Sequence, residues 1–126
     1  MLRIVDRHRH AIATCVFCPK LCRWACPVAD AESRETVTPW GLMTDLDDAV
    51  AGRVPFDAET ARTWEHCTGC ARCQQVCKHE NPVPSVLLDA RAASALANLA
   101  SPALLAWGRA RPVASPAFAA LPEGGE

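Results

Sequence analysis

Cys67-Thr68-Gly69-Cys70-Ala71-Arg72-Cys73-Gln74-Gln75-Val76-Cys77 is the stretch on which the fold turns. It sets four cysteines at the spacing C-x2-C-x2-C-x3-C. About 50 residues earlier stand Cys15, Cys18, Cys22 and Cys26, spaced C-x2-C-x3-C-x3-C and followed by Pro27. These two groups hold all eight cysteines of the chain and make a weak internal repeat, with little else repeated around them. Eight cysteines in an exported chain would suggest four disulfides. Two observations oppose that: no export signal is legible, and the cysteines are bunched rather than spread as staples. Bunching of this kind points to metal.

The spacing selects the metal group. A cubane needs four thiolates around a compact object, and one short loop supplies three of them from one side. The fourth must come from elsewhere, because so tight a loop does not reach the far corner. In two-cluster ferredoxins the fourth cysteine of each run ligates the other cluster. On that pattern Cys15, Cys18, Cys22 and Cys77 hold one [4Fe–4S] cluster, and Cys67, Cys70, Cys73 and Cys26 hold a second. Cluster assembly and folding then become one event. A structural zinc site is the rival, but it favours C-x2-C pairs set apart by a spacer. The extra residue between Cys18 and Cys22 leaves a [3Fe–4S] form open at the first site.

Neighbouring residues have readings of their own. Gly69 lets the backbone turn between Cys67 and Cys70, while Pro19 and Pro27 stiffen the first loop. Trp24, Phe17 and Val76 are placed to shield the clusters or to serve as plain core. His66 and His79 adjoin the second group, yet eight cysteines already suffice, so a helix-end or solvent-facing place is expected. His8 and His10 read as solvated. Arg23, Arg72 and Lys78 flank the groups, either as ordinary surface charge, as an offset to cluster charge or to meet an acidic partner.

The rest of the chain reads as helix. Of its 126 residues 50 % are hydrophobic, so it is not a disordered tail. Three regions are expected: a basic N-terminal segment, 1–13, with Ile4, Val5, Ala11 and Ile12 as its apolar side; a dicluster domain, 14–100; and an Ala/Pro-rich tail or linker, 101–126. Thr38-Pro39 fits an N-cap and first helical position, with Gly52 closing that helix after about Ala51. Asp57 reads as a second N-cap, preceded by Phe56 as a staple residue, with Ala61 and Trp64 turned inward to about His66. Pro84 opens a helix to about Ala100, with Val86, Leu87, Ala90, Leu96 and Leu99 as its stripe. Ser101-Pro102 and Ser115-Pro116 repeat the cap-and-proline pairing. Asp45, Asp47 and Asp48 read as a solvated face. No strand pattern is seen, so the fold class is all-α.

Several functions are excluded. The net charge is −1 and the basic residues are dispersed, which gives no nucleic-acid footprint. No stretch reaches the ~18 uninterrupted apolar residues of a membrane span. The segment 86–100 is broken by Asp89, Arg91, Ser94 and Asn98. Residues 1–10 carry Arg3, Arg7 and Arg9 with no apolar core of a signal after them. A cytoplasmic chain is expected, reaching the inner membrane only through a partner. No nucleophile–base pair, phosphate loop or paired acid is present, so no catalytic site is legible.

At this point a resemblance can be named. The residues Cys15-Val16-Phe17-Cys18-Pro19-Lys20-Leu21-Cys22-Arg23-Trp24-Ala25-Cys26-Pro27, then Thr38-Pro39, then Cys67-Thr68-Gly69-Cys70-Ala71-Arg72-Cys73 to Cys77 resemble the iron–sulfur domain of heterodisulfide-reductase-related proteins. Similar domains occur in the C subunit of anaerobic glycerol-3-phosphate dehydrogenase and in the iron–sulfur subunits of glycolate and lactate oxidases and of succinate dehydrogenase. The resemblance covers about residues 12–95. It implies an alpha-helical ferredoxin fold, cluster ligation by all eight cysteines, and electron transfer within a larger oxidoreductase. The implied partner is a flavin- or quinone-linked subunit, or a domain with Cys-Cys-Gly motifs. The Gly124-Gly125 end suggests a linker, so a piece of a longer subunit is one expectation and a small electron carrier the other. The alternative class is a sensor or scaffold in which clusters or zinc ions stabilise a binding surface.

Overall fold

In the computed structural model, which describes residues 3–114, helices follow one another with short links: α1 (Arg9–Val16), α2 (Pro27–Glu32), α3 (Pro39–Val50), α4 (Ala58–Trp64), α5 (Arg72–Gln75), α6 (Val83–Leu96) and α7 (Pro102–Ala114). Short 3₁₀ turns precede α1, α2 and α3. Among the described residues there is no strand. The fold is all-α, as the sequence predicts.

Helix α3 is the central element, and its start is set by local chemistry. Thr38 Oγ1 accepts from Gly41 N at 3.0 Å and donates to Glu35 O at 2.6 Å, so one hydroxyl ties the helix to the turn before it. Gly41 is required by space. A Cβ there would lie 2.5 Å from Glu35 O and 2.7 Å from Thr36 O. The far end closes as a Schellman motif. Gly52 sits at φ +72, with Gly52 N bonded to Ala49 O and Arg53 N to Asp48 O. One face of α3 buries Leu42, Met43, Leu46 and Ala49. Against it pack α1, α4 and α6.

The second expected cap is also present. Asp57 Oδ1 accepts from Glu59 N and Thr60 N at 3.0 and 3.1 Å. Phe56 stacks on Trp64, ring centroids 5.9 Å apart, one turn further along α4 than a staple residue reaches. Trp64 is fully buried.

At four places the structure departs from these expectations or adds detail to them. Helix α6 ends at Leu96 rather than near Ala100, because Asn98 takes the left-handed position at φ +56. Asn98 N bonds to Ala95 O and Leu99 N to Ser94 O, which is again the Schellman pattern. Leu96, the last residue of α6, is off the buried stripe and 81 % exposed, the buried place in that turn going to Ser94. Second, at the expected 13/14 boundary the helix is continuous. α1 runs across it, and Val5 and Ile12 lie in the same core as Leu46 and Trp64. Third, within the expected Ala/Pro-rich tail or linker, residues 102–114 are helical. Ser101 Oγ accepts from Leu104 N at 3.4 Å, and Glu65 Oε1 accepts from Ser101 N at 2.7 Å. Ser115-Pro116 and Gly124-Gly125 lie outside the described residues. Fourth, the acidic run is not one solvated face. Asp47 and Asp48 pair with Arg53, but Asp45 Oδ2 is buried without a hydrogen-bond partner, as is Trp64 Nε1. Burial pushes the Asp45 carboxyl up from its ordinary value, with the neighbouring indole pulling the other way.

Candidate iron–sulfur centres

The first cysteine loop is a chain of tight turns. Cys15 is in the last turn of α1 and buried. Cys18 N bonds to Cys15 O at 3.1 Å. Pro19 then leads into Lys20, held at φ +63. A left-handed lysine costs about 1–2 kcal/mol. It is offset here by the ammonium lying 4.0 Å over the Trp40 ring. Trp40 Nε1 in turn donates to Val16 O at 3.1 Å, so α3 fixes the loop from beneath. Cys26 caps α2, its Sγ accepting from Ala29 N at 3.5 Å, with Pro27 as the first helical residue.

The second loop leaves α4 at Cys67, whose N–H bonds to Trp64 O at 3.3 Å. Gly69 and Ala71 take φ +72 and +61, which turns the chain twice within five residues. The short helix α5 carries buried Cys73, and Cys77 follows it. Asn81 closes the loop. Buried, it donates from Nδ2 to Ala11 O at 2.8 Å and thereby ties the second loop to α1.

The two loops face one another across two cavities. One is lined by Cys15, Cys18, Cys22 and Cys77, the other by Cys26, Cys67, Cys70 and Cys73. Cys73 and Val83 line both and form the partition between them. All eight cysteines are free thiols. Among the described residues no three His, Cys, Asp or Glu side chains converge as ligands of one ion do. A tetrahedral zinc ion, with Zn–S of about 2.3 Å, needs such convergence. Soft thiol donors set around two adjoining cavities, drawn from both runs, fit a polynuclear iron–sulfur group.

Thiol electrostatics agree with a site that waits for positive charge. Burial, then the nearby Cys22, Cys18 and Cys77, pushes Cys15 up to about 12. Burial, then Cys22 and Cys67, does the same to Cys73. Burial also raises Cys22. It raises Cys67 too, opposed by the Gly69 backbone N–H and by Arg91. So dense a set of thiols resists ionisation until iron compensates it, and loading releases protons.

Other residues fall differently from expectation. Phe17 and Trp24 are 89 % and 70 % exposed, so they shield nothing; Leu21, on the rim of the first cavity, is 54 % exposed. Val76 is half-buried. His79 is exposed as expected, and His66 sits at the end of α4 with Nδ1 3.1 Å from Thr63 O. His10 is exposed, but His8 is not solvated. Its Nε2 lies 2.6 Å from Asp89 Oδ2, and Arg7 reaches the same carboxylate. Arg7 and then His8 hold that carboxyl below its ordinary range. Arg23 pairs with Glu35, while Arg72 and Lys78 are exposed. Trp40, Asn81 and Val83 were not singled out from sequence. Only Asn81-Pro82 carries a local signal, the turn-initiating dipeptide.

A helical ferredoxin-like protein is the class that this fold and these paired thiol cavities define. The family model of the 4Fe-4S dicluster domain matches residues 11–81, more than half of the chain, and the chain belongs to that family. It is an iron–sulfur protein that binds [4Fe–4S]. No curated protein and no solved structure matches it. No helix among the described residues is long and apolar enough to cross a membrane.

Proposed function

We propose that the chain carries electrons through two [4Fe–4S] clusters as a module of a heterodisulfide-reductase-like oxidoreductase. Cys15, Cys18, Cys22 and Cys77 hold the first cluster, and Cys67, Cys70, Cys73 and Cys26 hold the second. The observation that carries this is the composition of the two cavities: in one, Cys67, Cys70 and Cys73 meet Cys26 of the other run; in the other, Cys15, Cys18 and Cys22 meet Cys77, with the shared Cys73 beside it. When bound, such a cluster takes up and gives back one electron without breaking a substrate bond.

The chain's own residues bind, separate and insulate. Val83 and Cys73 keep the two sites adjacent and distinct. Leu42, Val37 and Leu87 line the second site with apolar surface, which limits water there. The donor and acceptor are redox proteins, a flavin- or quinone-linked subunit or a Cys-Cys-Gly domain, and membrane contact runs through that partner. Iron and sulfide analysis with electron paramagnetic resonance on anaerobically purified protein tests this reading. About eight iron and eight sulfide per chain, with reducible cubane signals, is the expected result. Bound zinc without sulfide overturns it.

A further inference from the structure

Among the described residues, Arg91 is a guanidinium turned inward beside a cysteine. It lies on α6, four residues after Leu87, so it follows along the helix face that lines the second cavity. Nη1 donates to Cys67 O at 2.9 Å. Nε is buried and has no hydrogen-bond partner. No ion pair among the described residues includes Arg91. Arg91 as a whole is half-buried, and a guanidinium partly withdrawn from water without a counter-charge is unfavourable, so a negative charge set beside it is favourable. Four thiolates and the sulfides of a cluster in the second cavity supply that charge.

Among the described residues the first cavity has no equivalent. Lys78 on its rim is exposed, where water screens it. Lys20 is committed to the Trp40 face. The second site also has the Ala29 N–H on Cys26 Sγ. Cluster potential rises with nearby positive charge and with hydrogen bonds to sulfur.

We propose that Arg91 is a positioning and tuning residue of the second cluster, making its couple the more positive of the two, so that a single electron on the chain resides there. This rests on the two-cluster reading above. Each couple is a one-electron reduction, with dithionite as the reductant in the test, and Arg91 stays protonated throughout.

The test is a potentiometric titration followed by electron paramagnetic resonance on the full chain, reconstituted without oxygen, as wild type, R91K and R91Q. Cys70→Ser identifies which couple belongs to the second cluster. In wild type that couple should be the higher. R91Q should lower its reduction equilibrium constant at least tenfold, a shift of about 59 mV for one electron, and leave the first couple in place. R91K keeps the charge but loses the fork, so a smaller shift in the same direction is expected. It decides the matter if R91Q does not retain its iron. Two intact clusters with the second couple unmoved in either variant, or with the first couple moved as far, overturn the proposal while leaving the two-cluster reading intact. A wild-type chain that takes up no cluster overturns both.

Discussion

At Asp45 the chain places a carboxylate where its helix turns inward. Leu42 and Ala49 are buried on the same side of α3, three residues before and four after. Its raised carboxyl pKa has a defined stability consequence. The folded state binds a proton more tightly than the unfolded chain, so the group's favourable contribution is complete below the ordinary value of 3.8 and is lost as pH rises through the raised folded value. At neutral pH the ionised carboxylate works against folding. Asp45→Asn keeps the shape and removes the charge. We expect it to raise the thermal midpoint at pH 7, with the gain vanishing as pH falls below that range; an equal gain at both pH values contradicts the assignment. Asp45 was missed from sequence because three close aspartates read as one polar face, whereas the helical period separates them.

Helix ends show what was legible and what was not. Thr38 and Asp57 were readable because capping is local: a side-chain oxygen and backbone N–H groups two or three residues away decide it. Thr38→Ala should cost about 1–2 kcal/mol, and Thr38→Ser much less, by chemical denaturation of the loaded protein. A loss under a few tenths for Thr38→Ala would show that Pro39 and packing start α3 unaided. The end of α6 was not readable, since Asn98 does there what Gly52 does for α3, and asparagine is the less frequent signal. The exposure of Phe17 and Trp24 was hidden for another reason. In a loop of turns, apolar character does not say which way a side chain points; Trp40 on α3, rather than the loop's own aromatics, supports the first group.

Over the whole molecule, the all-α class and the cysteine groups were legible, because cluster ligation repeats at short fixed spacings. The partition between the sites was not, because Val83 and Asn81 meet the first loop only through tertiary packing. Cys15 and Cys73 belong to the same buried cluster as Ile12, Met43 and Trp64, so the two cysteine cavities and the core are one unit. The thiolate traded between halves is the central claim, and exchange of single ligands tests it most directly. Cys26→Ser and Cys77→Ser would be reconstituted without oxygen, and iron, sulfide and the resonance signals of each cluster measured. The prediction is that Cys26→Ser degrades the cluster of the second loop and spares that of the first, while Cys77→Ser does the reverse. If each substitution damages only the cluster of its own run, the crossed arrangement is wrong.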